Sequence, residues 1–164
     1  MCPPGNCAPR AKAGDTWDDI GVERASHGPG HPDAHAGGGW LPAAVVEHEA
    51  PGGRHFDLLL AVREPAGPDD RACATWRCGG DPSALPTGSG CASERIDAHR
   101  AAYLALEGPR TLTGDRGSVR PVAVGRWRPG AAGAIEVEWA GGRGTERMTL
   151  RFAAGETELR RTDR

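Results

Sequence analysis

The sequence predicts an all-β domain: a small closed or nearly closed antiparallel β-barrel with one or two short flanking helices. Three observations carry this expectation. Short runs rich in Val, Leu, Thr and Trp recur from Trp40 to the end of the chain. Several of them alternate apolar and polar residues with a period of two, which sorts side chains onto the two faces of a strand. Gly, Pro and Asp clusters separate the runs, and many short strands with regular turn signals favour a sheet that closes on itself and so has few open edges.

Residues 1–39 read as a disordered tail. They contain Pro3-Pro4-Gly5 and the stretch SHGPGHPDAHAGGG, with little apolar periodicity. Such a segment cannot bury enough apolar area to offset the entropy lost on ordering. TWDDIGVE (16–23) has the pattern of a brief helical turn. His27, His31 and His35 are spaced by four, which would stack them on one helical face, but Pro32 and the neighbouring glycines oppose a helix. A weak metal-binding tract is the alternative to plain disorder there.

The domain is expected over 40–164. Strand-like runs fall at AAVVEH (43–48), HFDLLLAV (55–62), RACATWRC (71–78), SVRPVAVGRW (118–127), AIEVEWA (134–140), ERMTLRF (146–152) and ETELRRT (156–162). In the fifth run Ile135, Val137 and Trp139 share one face and Glu136 and Glu138 the other. In the sixth, Met148, Leu150 and Phe152 oppose Thr149 and Arg151. Pro121 cannot donate to a ladder, so it implies an edge or a bulge. SERIDAHRAAYLALEG (93–108) breaks the rhythm. It is alanine-rich, with Ser93 as a candidate N-cap and Gly108 as a stop, and it reads as a helix carrying His99 and Tyr103 on one face.

A net charge of −2 advertises no overall basic field for nucleic acid. Lys12 is the sole lysine, so arginine supplies every other fixed positive charge. Arg143, Arg147, Arg151, Arg160, Arg161 and Arg164 crowd the C-terminal third, where alternating arginines form either a basic strip or, more often, a solvated sheet face. The five cysteines, Cys2, Cys7, Cys73, Cys78 and Cys91, are odd in number and irregularly spaced. With no secretory signal and no membrane-length apolar run, the expectation is a soluble cytoplasmic protein with free thiols. Cys73 and Cys78 resemble half of a zinc site, but no second pair has ligand spacing.

The chemistry concentrates at His48, His55 and Asp57. On a strand His55 and Asp57 point to the same face, away from Phe56 and Leu58. A hairpin through Pro51-Gly52-Gly53 would return His48 beside them. Two imidazoles and a carboxylate on one face form an open site for a divalent metal, with room left for water and substrate. The plainer alternative is polar surface, because histidines near strand ends are common and a His-x-Asp pair arises by chance.

Read in order, EHEAPGGRHFDLLL, Thr75-Trp76, DAHRAAYLALEGP, GDRGSV and Trp127 resemble the 3′-phosphoesterase domain of bacterial ATP-dependent DNA ligase D. The resemblance covers 40–162 and is closer still to small stand-alone relatives of that domain. It implies a small β-barrel with short flanking helices. His48, His55 and Asp57 would ligate manganese or a similar divalent ion. His99 would contact the scissile phosphate, with Tyr103 beside it and Asp97 in support. The implied activity is trimming of DNA 3′ ends, removing a 3′-phosphate or a terminal ribonucleoside during repair. The implied partners are primer-template DNA and a repair ligase, a polymerase or a Ku-type end-binding protein.

The chain departs from that pattern in three places. The gap between His48 and His55 is one residue longer than usual. Leu59 stands where the family commonly has an arginine. Trp76-Arg77-Cys78-Gly79-Gly80 lacks the family's lysine. Arg77 and Arg95 are the candidate replacements for these two cations. Loss of charge-assisted phosphate contacts weakens substrate and transition-state binding. The alternative function is therefore a barrel that binds nucleic-acid ends or a repair partner without turnover.

Overall fold

The computed structural model describes residues 39–141 and 144–163. All of the expected tail but Gly39 lies outside them, with its helical turn and three histidines, as do Cys2, Cys7, Arg143 and Arg164. The described chain is all-β: β1 (Leu41–Ala50), β2 (Gly53–Ala61), β3 (Cys73–Cys78), β4 (Gly90–His99), β5 (Arg110–Thr111), β6 (Ser118–Pro129), β7 (Ala134–Gly141), β8 (Gly144–Phe152) and β9 (Glu158–Arg161).

Every pairing is antiparallel. The order runs β1-β2-β3-β4-β9-β8-β7-β6, and β6 returns to β1, so eight strands form a closed barrel. β7 pairs with Val124–Pro129 of β6, and short β5 takes the remaining edge at Ser118 and Val119. The seven anticipated runs all contribute strands. Pro121 lies at a bulge: Val45 pairs with Ala123 and Val46 with Pro121, which leaves Val122 unpaired on β6. An extra residue there spares the ladder a missing donor.

The interior is filled by side chains. Leu58, Leu60, Trp76, Trp127, Ile135, Val137, Met148, Leu150 and Leu159 are almost wholly buried in one cluster. The indole N–H groups need partners once they leave water. Trp127 donates to the Ala61 carbonyl at 2.8 Å, and Trp76 donates to buried Glu156 at 3.0 Å. Trp76 also stacks on Phe152, with ring centroids 4.7 Å apart.

A second, smaller cluster sits outside the barrel wall. Val46, Leu59, Cys73 and Val119 point outward from four strands and are covered by Leu106, with Tyr103, Leu104 and Leu112 packed against them. This cover follows from the segment expected as a helix over 93–108. That expectation is corrected here. Gly90–His99 is a strand, and only Ala101–Ala105 turns, as a short 3-10 helix. Pairing with β3 and β9 outweighs the alanine-rich local preference, because a central strand gains two ladders. Ser93 does not cap a helix; its hydroxyl donates to the Glu156 carbonyl at 2.7 Å.

Arg147 and Arg160 are solvated and ion-paired, whereas the Arg161 side chain is mostly buried and also donates to the Leu85 carbonyl at 3.0 Å. Arg147 binds Glu138, Arg160 binds Glu158, and Arg161 binds Glu146 and Asp163. Among the described residues, no helix is long and apolar enough to cross a membrane.

Candidate metal centre

The β1–β2 hairpin turns at Pro51-Gly52 and closes with Ala50 opposite Gly53. Gly53 has φ +122°, which a side chain would strain. This register places His48 directly across from His55, and cross-strand partners share a face. Their rings meet edge-on with centroids 4.7 Å apart. The longer gap between them therefore leaves His48 in place. Asp57 follows His55 on the same face, and one donor atom from each of the three lies within 4.8 Å of the others. Among the described residues this is the one such group of metal-ligating side chains.

Two buried atoms in this group have no hydrogen-bond partner among the described residues: Nε2 of His55 and Oδ1 of Asp57. They lie 3.6 Å apart. Two donors about 2.1 Å from one ion are separated by roughly 3.0–3.4 Å at tetrahedral or octahedral angles. A buried, unsatisfied nitrogen facing a buried, unsatisfied oxygen is costly without a ligand. Two imidazoles and a carboxylate are a donor set that could hold a divalent metal ion.

His48 Nε2 lies 2.6 Å from the Arg116 carbonyl. An N–H donating there leaves Nδ1 with the free lone pair, the neutral form that a ligand imidazole needs. Gly117 makes this contact possible. It has φ +81°, and a methyl group on it would collide with the Glu49 carbonyl of β1. Its own carbonyl accepts from Leu112 at 2.8 Å, so the 112–117 loop closes tightly against His48.

Burial lowers the His55 pKa, with Arg77 and His48 acting in the same direction and Asp57 opposing them. Burial also raises the Asp57 pKa, against the pull of His55, His99, Arg77 and His48. Both shifts state the same fact: charge at this spot lacks solvation.

His99 joins the group from β4. Its Nε2 lies 3.8 Å from Oδ2 of Asp57, and its Nδ1 donates to the Asp97 carbonyl at 2.9 Å. A β4 bulge makes this possible. Thr75 pairs with Ile96 and Cys73 with His99, so three steps on β4 match two on β3 and both residues face outward. Tyr103 follows on the 3-10 turn, its ring 5.6 Å from that of His99. The expected neighbourhood of these two rings holds even though the helix does not. Asp97 contributes its carbonyl rather than its carboxylate to His99.

The candidate replacement cations separate. Arg77 is the cross-strand partner of Asp57 and is exposed on the site's face. Arg95 pairs with Trp76 and lies over its ring, at 5.1 Å from the centroid, on the other face. Leu59 is fully buried in the outer cluster. Cys73 and Cys78 sit on opposite faces of β3, one in each cluster, so they do not share an ion. Among the described residues, Cys73, Cys78 and Cys91 are free thiols.

Sequence reasoning missed one element of the site. Arg71, Arg100, Arg110 and Arg116 line a cavity of about 380 Å³ together with His99 and Tyr103. They come from three connections and the short strand β5, so no local spacing marks them. Comparison of the chain with protein-family models, with curated proteins and with solved structures finds no match in any of the three.

Proposed function

We propose that this chain is a metal-dependent phosphoesterase that trims DNA 3′ ends, removing a 3′-phosphate or terminal ribonucleoside in cytoplasmic DNA repair. One observation carries the reading: the unpartnered Nε2 of His55 faces the unpartnered Oδ1 of Asp57, with His48 opposite and His99 alongside. The likeness of its ordered motifs to the 3′-phosphoesterase domain of ligase D supports the choice of substrate. The free thiols fit a reducing compartment.

His48, His55 and Asp57 would hold the ion, with manganese as the family-like choice. When bound, the ion supplies an acidified water and offsets phosphate charge. His99, fixed through Nδ1, presents Nε2 toward that centre, and its imidazolium form donates a hydrogen bond or a proton to a phosphate oxygen. Tyr103 holds the outer side of the His99 ring. Arg77 supplies a fixed positive charge across the ladder from Asp57. Primer-template DNA is the proposed partner, together with a repair ligase, polymerase or Ku-type protein.

Burial of Leu59, at the position where the family carries a cation, favours a second reading: a barrel that binds DNA ends without turnover. Manganese-dependent release of phosphate or nucleoside from a 3′-modified primer separates the two. Wild type should release product and His55→Ala should not. Equal signals from both proteins, or none, would remove the hydrolytic reading. Salt-sensitive primer-template binding without release would establish the second.

A further inference from the structure

The cavity beyond His99 has a charge pattern of its own. Four arginines from separate parts of the chain line it, together with one carboxylate residue, Asp69. Arg71 precedes β3, Arg100 follows β4, Arg110 lies on β5 and Arg116 lies in the next loop. Among the described residues only one of the four has a carboxylate partner: Arg100 binds Asp69 at 3.1 Å, and Asp69 is itself highly exposed.

Neutral acceptors orient two of the others. Arg71 donates to the Ala98 carbonyl at 3.1 Å. Arg116 donates to the Thr113 carbonyl at 2.9 Å and to its hydroxyl at 2.6 Å. These bonds fix direction without cancelling charge. The walls are also tied together, because Ala101 and Ala102 each donate at 2.8 Å to the carbonyls of Asp70 and Pro68. An oriented and largely uncompensated arginine set in a concave wall is built for polyanions, since guanidinium forks match phosphate oxygens.

His99 lines this cavity on one side and faces Asp57 on the other. A phosphate at the metal centre would therefore have its neighbour along a nucleic-acid strand within the arginine cavity. We propose that this cavity binds a second, non-reacting phosphate of the substrate, so that the protein selects oligonucleotide ends over mononucleotides. The assignment rests on the phosphoesterase reading of the adjoining centre.

The test is a binding measurement without metal or turnover. The full chain, held in chelator, is titrated calorimetrically with thymidine 3′-phosphate and with a thymidine dinucleotide carrying a 3′-phosphate. Wild type should bind the two-phosphate probe at least ten-fold more tightly. The double variant Arg71→Ala/Arg110→Ala should lose that preference. Among the described residues the Arg110 side chain has no hydrogen-bond or ion-pair partner, so Arg110→Ala alone is the variant least able to disturb folding, and it should lose part of the preference. Equal affinities in wild type, no binding of either probe, or a preference that survives both variants would overturn the proposal. Because no ion or hydrolysis enters the readout, failure of the metal centre would leave this result untouched, and the converse holds.

Discussion

Oδ2 of Asp57 on β2 lies 3.8 Å from Nε2 of His99 at the end of β4, although all of β3 and the rest of β4 come between them in the chain. The other oxygen of the same carboxylate faces His55. Asp57 is thus the hub of the site, buried on a barrel wall and short of hydrogen bonds. A carboxylate in that position costs stability unless a cation meets it.

Asp57→Asn should stabilise the metal-free protein at neutral pH while abolishing stabilisation by added manganese. Burial raises the folded-state pKa of Asp57. Between the ordinary carboxylate value and that raised value, the folded state holds more proton than the unfolded state. Metal-free stability therefore falls as pH rises through that window. The asparagine removes the penalty, and a gain of about 0.5–2 kcal/mol is expected. Denaturant melts at pH 4 and pH 7, with and without manganese, check it: the gain should be larger at pH 7 and vanish with the ion.

Gly117→Ala should lower manganese affinity about 10–100-fold, the usual cost of losing the group that orients a ligand histidine. The methyl group cannot occupy its place beside Glu49, so the loop must lift and take the Arg116 carbonyl away from His48. Metal titration followed by calorimetry reads the loss. Unchanged affinity in a folded variant would show that the loop does not hold His48.

Arg77→Ala and Arg95→Ala should differ in kind. Arg77 shares the face of Asp57, so its removal should lower kcat/KM on a 3′-phosphorylated primer about 10–1000-fold, by loss of charge-assisted phosphate contacts. Manganese affinity should stay level or rise, because a neighbouring positive charge is gone. Arg95 packs over Trp76, so its removal should affect stability and leave kcat/KM nearly unchanged. The reverse assignment would move the phosphate contact to the other face.

Glu156→Ala should cost about 1–3 kcal/mol by leaving the buried Trp76 indole without an acceptor. Glu156→Gln keeps an oxygen in place and should cost less. Urea melts of the two variants, compared at equal slope, decide the ranking.

The fold was readable where alternation was strong. AIEVEWA and ERMTLRF became β7 and β8 in the expected sense, with Val137, Trp139, Met148 and Leu150 inside. The hairpin at Pro51-Gly52 followed from turn residues between two apolar runs, and it delivered His48, His55 and Asp57 to one face. β4 was not readable. Its alanines suit a helix locally, and its strand form depends on partners on β3 and β9 that lie far away in sequence. For the same reason, the outward turn of His99 required a bulge that no local pattern announces. The arginine cavity was hidden because its members meet only after the loops have packed.

Trp76, Trp127 and their neighbours occupy the bore of the cylinder, so nothing can thread along its axis. Recognition is confined to the outer wall and to the connections lying on it. The residues that keep the scaffold standing are accordingly separate from those that would choose a ligand. Changing Arg110 or Arg116 within the 100–117 connection should therefore retune what is bound, provided Leu104, Leu106 and Leu112 stay to cover Val46, Leu59, Cys73 and Val119.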